Sequence, residues 1–305
     1  MQDAPKTGLV EIKTWRDFTK VMCVLSGDAW LYRGQEDASW KLKSSLERDI
    51  EDRHPQVLTE RERSNIELFR ANAKLLGLCW ESDISALIAM QHHGAKTRLL
   101  DFSTSMMVAL FFAFEKAHKM PKRRAIYAVN FKALCESDYM LHLYTKYREK
   151  HNDLRKWEEW IRVGSGRSLL VEDVKFRKFI EETAEDVIAS GNHANGILPL
   201  YTAATNRRQR AQAGVQLMPC TFDPFVDNLA AALGIDNVDE INNPSYCIVD
   251  IAHKKMKDVV MPTSVIKFVF EESLESDARN ILNQANISYA TIYPDIIGLS
   301  MSLDN

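Results

Sequence analysis

The chain has 305 residues, 46% of them hydrophobic and 27% charged, with a formal net charge of −3. Such a length buries a sizeable core, and the balance of residues argues against a disordered chain. It also gives no general electrostatic drive toward nucleic acid or acidic membrane.

The five cysteines (Cys23, Cys79, Cys135, Cys220, Cys247) form no CxxC or Cys/His cluster. We therefore expect reduced thiols, no disulfide framework and no metal site. The opening segment lacks the apolar core of a signal peptide, and no apolar run is long enough to span a bilayer. A soluble, cytoplasmic protein with no membrane partner is expected.

In chain order, the pattern predicts a strand over 9–12, a helix from Trp15 closed by Gly27, and a strand over 29–35. Residues 40–46 read as a loop or short strand. A charged helical region follows over 46–78, with Ile66, Leu68, Phe69 and Leu75 as its apolar stripe. An amphipathic helix over 80–90 then leads to a polar turn at 91–94.

The hydroxyl triplet Ser103-Thr104-Ser105 stands before an apolar run from Met106 to Phe114. That run predicts a helix buried on all sides, with a hydroxyl capping its first free N–H groups. A basic loop at 119–124 precedes a buried strand over 125–131. Residues 135–193 are two long charged helical patterns joined at 164–168, read as a helical insertion on the side of the core. The segment 197–201 resumes that core. Over 205–219 a basic patch and a glycine lead into a short strand. A helix over 222–233 closes at Gly234, and strands over 246–251 and 265–270 precede a last helix over 275–285. With no internal repeat or linker, one mixed α+β core with a helical insertion is the simplest architecture.

Several residues carry candidate chemistry. Arg33 ends a strand where a side chain can project into a cleft, and Gly34 would let a ligand approach the backbone. The hydroxyl triplet, close to His92, Arg98 and Asp101, could receive an anionic or sugar-like ligand, or simply cap a core helix. Arg207, Arg208 and Arg210 suggest an anionic partner or a salt-bridged helix end.

Four ordered motifs resemble one family. Leu31-Tyr32-Arg33-Gly34-Gln35, with Trp40 downstream, resembles the (F/Y)RG motif that names the FRG domain. The segment from Gln91-His92-His93-Gly94 through Thr97-Arg98-Leu99-Leu100-Asp101 to Ser103 is similar to that family's QHxG…TRLLDxT/S stretch. Asn206-Arg207-Arg208 through Gln212-Ala213-Gly214-Val215 resembles its Arg-rich segment, and Tyr293-Pro294-Asp295 its (F/Y)PD ending. The resemblance implies a single FRG domain over 8–305 containing the insertion at 135–193, in a family known mostly from bacteria and phage, with members near defence elements.

The motif order also resembles that of ADP-ribosyltransferases, which implies a mixed or antiparallel split-sheet core surrounded by helices, and NAD as substrate rather than as a tightly bound cofactor. On that resemblance the catalytic set is Arg33, Ser103, Gln212 and His92. Arg33 would clamp the pyrophosphate, Ser103 and Thr104 would hold the nicotinamide ribose or brace the wall beneath it, and Gln212 or Gln216 would bond the ribose 2′-OH. His92 would be a general base. Tyr32, Gly34, Gln91, Thr97, Arg98, Asp101, Thr104, Arg208 and Gln216 would contact the ligand.

The third motif has no carboxylate, so Asp101, Asp223 or Glu36 would have to supply the negative charge from another element. The resemblance implies ADP-ribosyl transfer or NAD hydrolysis in bacteria–phage conflict. The alternative is a module that senses a nucleotide or other anionic small molecule, or binds a protein partner, without turnover. A nucleic-acid role through Arg207, Arg208, Arg210 and the 122–124 patch lacks interleaved aromatic residues and is disfavoured.

Overall fold

The computed structural model describes residues 5–25, 30–49, 54–116, 122–151, 174–191, 193–201, 207–244 and 261–303. Strand β1 (Thr7–Ile12) leads into helix α1 (Trp15–Val24), whose start is fixed by a capping box between Thr14 and Asp17. Strand β2 (Trp30–Gln35) follows.

The charged region expected as one helical stretch is two helices, α2 (Ser45–Asp49) and α3 (Pro55–Leu75). Pro55 explains the new start, because it has no N–H to offer a preceding turn and is pre-set for the first helical position. Helix α4 (Asp83–His92) precedes strand β3 (Leu100–Ser103) and helix α5 (Met106–Phe114), and strand β4 (Arg124–Asn130) comes next. Phe131, expected as the end of that strand, instead starts a helix that the Asn130 side chain caps.

Strands β5 (Ile197–Leu200), β6 (Gly214–Pro219) and β7 (Val265–Phe270) complete the sheet. The expected strand over 246–251, the joint at 164–168 and the closing residue Gly27 lie outside the described residues.

The strands form one open, mixed seven-stranded sheet in the order β1-β7-β4-β2-β3-β6-β5. Only β1 and β7 run parallel among these pairs. The fold is therefore α+β, as the element pattern implies. The sheet is uneven at its centre. β2 pairs with β4 over six residues, and β3 with β6 over four, but β2 and β3 meet only at Tyr32 and Ser103.

Helix α5 lies across this junction, packed on both β2 and β3. Seven of its nine residues are buried, and Met107 and Phe112 are partly so, as the unbroken apolar run predicts. Of the hydroxyl triplet, Ser105 is the cap, accepting the Val108 N–H. On the far edge, Tyr144, Tyr147 and Phe176 of helices Asp138–His151 and Val174–Ser190 pack with Leu87, Leu198 and Met218.

One buried charge has a testable cost. Lys267 on β7 is only 5% exposed, donates to the Asn242 carbonyl at 2.9 Å and lies 5.1 Å from the Tyr127 ring centroid. Burial pushes its ammonium down from 10.5 to about 8, against the pull of Asp37. The unfolded chain thus binds the proton more tightly, so this group's contribution to stability improves as pH rises from 8 toward 10.5. Below pH 8 the full cost, about 3 kcal/mol, is present. Lys267→Met should therefore raise stability at pH 7, because Tyr127 still donates to the Asn242 carbonyl. Urea unfolding at pH 7 and pH 9 checks this: the variant's gain over wild type should shrink at the higher pH.

Candidate functional site

Beyond the Tyr32–Ser103 pair the two central strands run on without pairing, and a cleft opens between them. Its cavity volume is about 360 Å3, within the range of small-molecule sites. Arg33 crosses the gap: its Nη1 donates to the Asp101 backbone carbonyl at 2.7 Å, so a side chain replaces the missing ladder bond. Its Nε is buried with no hydrogen-bond partner. Burial pushes the guanidinium down to about 10, with Asp101 opposing and Arg48 assisting, so Arg33 stays cationic at neutral pH.

Opposite, Gln216 of β6 sits in register with Asp101, and its Nε2 donates to Asp101 Oδ1 at 3.1 Å. The Gln216 Oε1 is buried and unpartnered, as is the Oε1 of Gln35 in the cleft wall. Of six such side-chain atoms among the described residues, three therefore line this one cavity. Buried polar atoms are ordinarily bonded, so this concentration marks a place where a polar ligand can complete the set.

The remaining wall is built from farther along the chain. Arg208 lies over the Tyr293 ring at 4.2 Å, and the Tyr293 hydroxyl donates to Glu115 Oε1 at 2.9 Å. Glu36 pairs with Lys116 at 3.1 Å.

Of the thirteen residues expected to be catalytic or to contact the ligand, eight line the cleft: Tyr32, Arg33, Gly34, Asp101, Ser103, Arg208, Gln212 and Gln216. Ser103 is already committed. Its Oγ donates to the Gln212 carbonyl at 2.7 Å and accepts the Ser105 N–H at 3.0 Å, so it braces the wall. Gln212 Nε2 reaches the Ile292 carbonyl at 3.4 Å.

Gly34 also meets a packing need. A β-carbon there would fall 2.0 Å from the Ala109 carbonyl oxygen and 2.6 Å from the Ala113 nitrogen. The backbone that approaches this glycine is that of α5.

The other five expected residues do not line the cavity. Arg98 is buried in an ion pair with Glu62, Thr97 bonds Gln91, and Thr104 hydrogen-bonds the Ala213 carbonyl through its N–H at 2.9 Å. His92 is half-buried at the end of α4, and burial, then Arg208 and His93, lower its pKa against Asp295 and Asp101. Among the three carboxylates weighed for the third motif, Glu36 and Asp101 line the cleft and Asp223 does not.

Sequence reasoning missed Arg48 and Glu115 as lining residues, and it named Gln35 and Tyr293 only within motifs. The one signal for Glu115 is that it is the first charge after the apolar run.

Residues 28–122 match the family model of the FRG domain. This stretch is an FRG domain. The FRG domain holds β2, β3 and α5, and so supplies Arg33, Asp101, Ser103 and Glu115. Gln216, Arg208 and Tyr293 close the cleft from outside it. No curated protein and no solved structure matches the chain significantly.

Among the described residues no helix is long and apolar enough to cross a membrane, and no group of three or more His, Cys, Asp or Glu side chains is arranged to hold a metal. The 122–124 basic patch is neutralised from within. Lys122 pairs with Asp37, Arg123 with Glu11 and Glu271, and the buried Arg124 with Glu275.

Proposed function

We propose that the cleft binds NAD and cleaves the bond between its nicotinamide and ribose, passing ADP-ribose to a macromolecular acceptor or to water. The observation that carries this reading is the meeting of Arg33 and Gln216 across the gap, each with a buried polar atom lacking a partner. Arg33 would hold the pyrophosphate by charge-assisted hydrogen bonds. Gln216 would bond a ribose hydroxyl, and Asp101, fixed against it, would stabilise the positive charge that develops on the ribose in the transition state. Ser103 would keep the Gln212 wall in place. NAD is here a substrate, and no tightly bound cofactor is proposed. The setting in bacteria–phage conflict enters through the family resemblance alone.

A second reading, ligand sensing without turnover, is favoured by one observation: positions 212 and 216 are both glutamine, which carries no full negative charge.

Purified protein incubated with NAD, followed by chromatography for nicotinamide and ADP-ribose, separates the two. We expect nicotinamide release, reduced about 100-fold or more in Arg33→Ala, the scale of losing one preorganised transition-state contact. Saturable NAD binding weakened by Arg33→Ala, with no product even when cell lysate supplies acceptors, would instead establish the sensor.

A further inference from the structure

Two carboxyl groups in the cleft, Glu36 and Glu115, have no task in the scheme above, and only Glu36 is paired with a cation among the described residues. Glu115 follows directly on the last residue of α5, and its surroundings come from the far end of the chain. Tyr289 donates its hydroxyl to the Glu115 backbone carbonyl at 2.7 Å, and Tyr293 donates to Oε1 at 2.9 Å. The two tyrosine rings stack on one another, and Phe111 meets both edge-on. Glu115 is thus held at its main chain and at one oxygen by a rigid aromatic wall. No described residue donates to its second oxygen, and the side chain lines the same cavity as Arg33 and Gln216.

The competing acids and bases are less suited. Glu36 is held by Lys116, and Asp101 by the Gln216 amide. His92 lies outside the lining. A candidate base needs an oxygen within reach of the reacting proton, and Glu115 has one that is both fixed in direction and uncommitted.

We propose that Glu115 is the general base of the cleft, removing the proton from the water or acceptor hydroxyl that attacks ribose C1′ of NAD. The proposal rests on the NAD reading above. In the step, the bond between C1′ and the nicotinamide nitrogen breaks, and its electron pair leaves with neutral nicotinamide. The attacking oxygen forms a bond to C1′, and its proton passes to the Glu115 carboxylate. Nothing is oxidised or reduced. Burial raises the Glu115 pKa above its ordinary 4.5, and Glu36 adds to the rise, while the Tyr293 hydrogen bond, Lys116 and Arg208 oppose it. The group is accordingly more basic than an exposed carboxylate.

The test compares wild type, Glu115→Gln and Tyr293→Phe in NAD binding by calorimetry and in nicotinamide release across pH, with thermal unfolding as a check on folding. The amide oxygen introduced by Glu115→Gln can still accept the Tyr293 hydroxyl, so this variant should fold and bind NAD as wild type does. Release should fall about 100-fold or more, the usual contribution of a general base. In Tyr293→Phe, loss of the hydrogen bond that lowers the Glu115 pKa should move the acid limb of the rate profile to higher pH.

Release by Glu115→Gln at the wild-type rate, or binding and release lost together, overturns the proposal while leaving the NAD reading standing. Wild-type protein that does not cleave NAD even when cell lysate supplies acceptors overturns both.

Discussion

Gly34→Ala is expected to yield little or no folded protein. The added β-carbon would lie 2.0 Å and 2.6 Å from backbone atoms of Ala109 and Ala113, one turn apart on α5. No rotamer change can relieve a clash with backbone, so α5 would have to withdraw from β2 by more than an ångström. That helix is pinned by its Ser105 cap and by burial of Leu110, Phe111 and Phe114, so withdrawal would open voids along its length. The cost should exceed about 4 kcal/mol, a large share of a domain's stability. Soluble yield and thermal unfolding measure it. A Gly34→Ala protein that melts with wild type would show that the helix can move off the strand freely.

Arg98→Ala should be nearly as damaging. The Arg98 and Glu62 side chains are 3% and 4% exposed, joined by Nε to Oε1 at 2.9 Å and by a second bond from Nη2 to Oε2. The guanidinium also lies 3.7 Å from the centre of the Phe222 ring. Truncating the arginine strands the Glu62 carboxylate in the interior, at a cost of about 3–5 kcal/mol. The double variant Arg98→Met with Glu62→Met leaves no uncompensated charge and should recover most of the loss. Urea unfolding of both variants checks the prediction, and a double variant no more stable than Arg98→Ala would mean that packing on Phe222, rather than the charge, sets the cost.

The contrast between Arg33 and Arg98 shows where sequence reasoning stops. Both are arginines in motifs, both are expected at a ligand, and the sequence offers the same chemistry for each. What separates them is Glu62, 36 residues upstream on a helix read only as charged with an apolar stripe. One glutamate of that helix turns inward, and a stripe of apolar residues does not reveal which.

The long strands and α5 are legible because their apolar runs are continuous or strictly patterned. β3 is not, since four residues with Asp101 exposed in their midst carry too little pattern. The cleft is half legible for the same reason. Arg33, Asp101, Ser103 and Gln216 belong to adjacent strands, whereas Glu115 gains its place from Tyr293, 178 residues away. Gly34 is legible as a point of close approach, but the sequence cannot say whose backbone approaches.

The single residue pair between β2 and β3 also has a mechanical consequence. A ladder of many bonds spreads a load, but here four strands on one side and three on the other share one rung at Tyr32 and Ser103. The sheet is two stiff plates meeting at a hinge line. Helix α5, packed against both plates, is the splint that sets their angle, and the Arg33 bond to the Asp101 carbonyl is a guy-rope across the opening. A molecule gripped by Arg33 on one plate and Gln216 on the other would be a second strut, so occupancy of the cleft and rigidity of the whole sheet are one property.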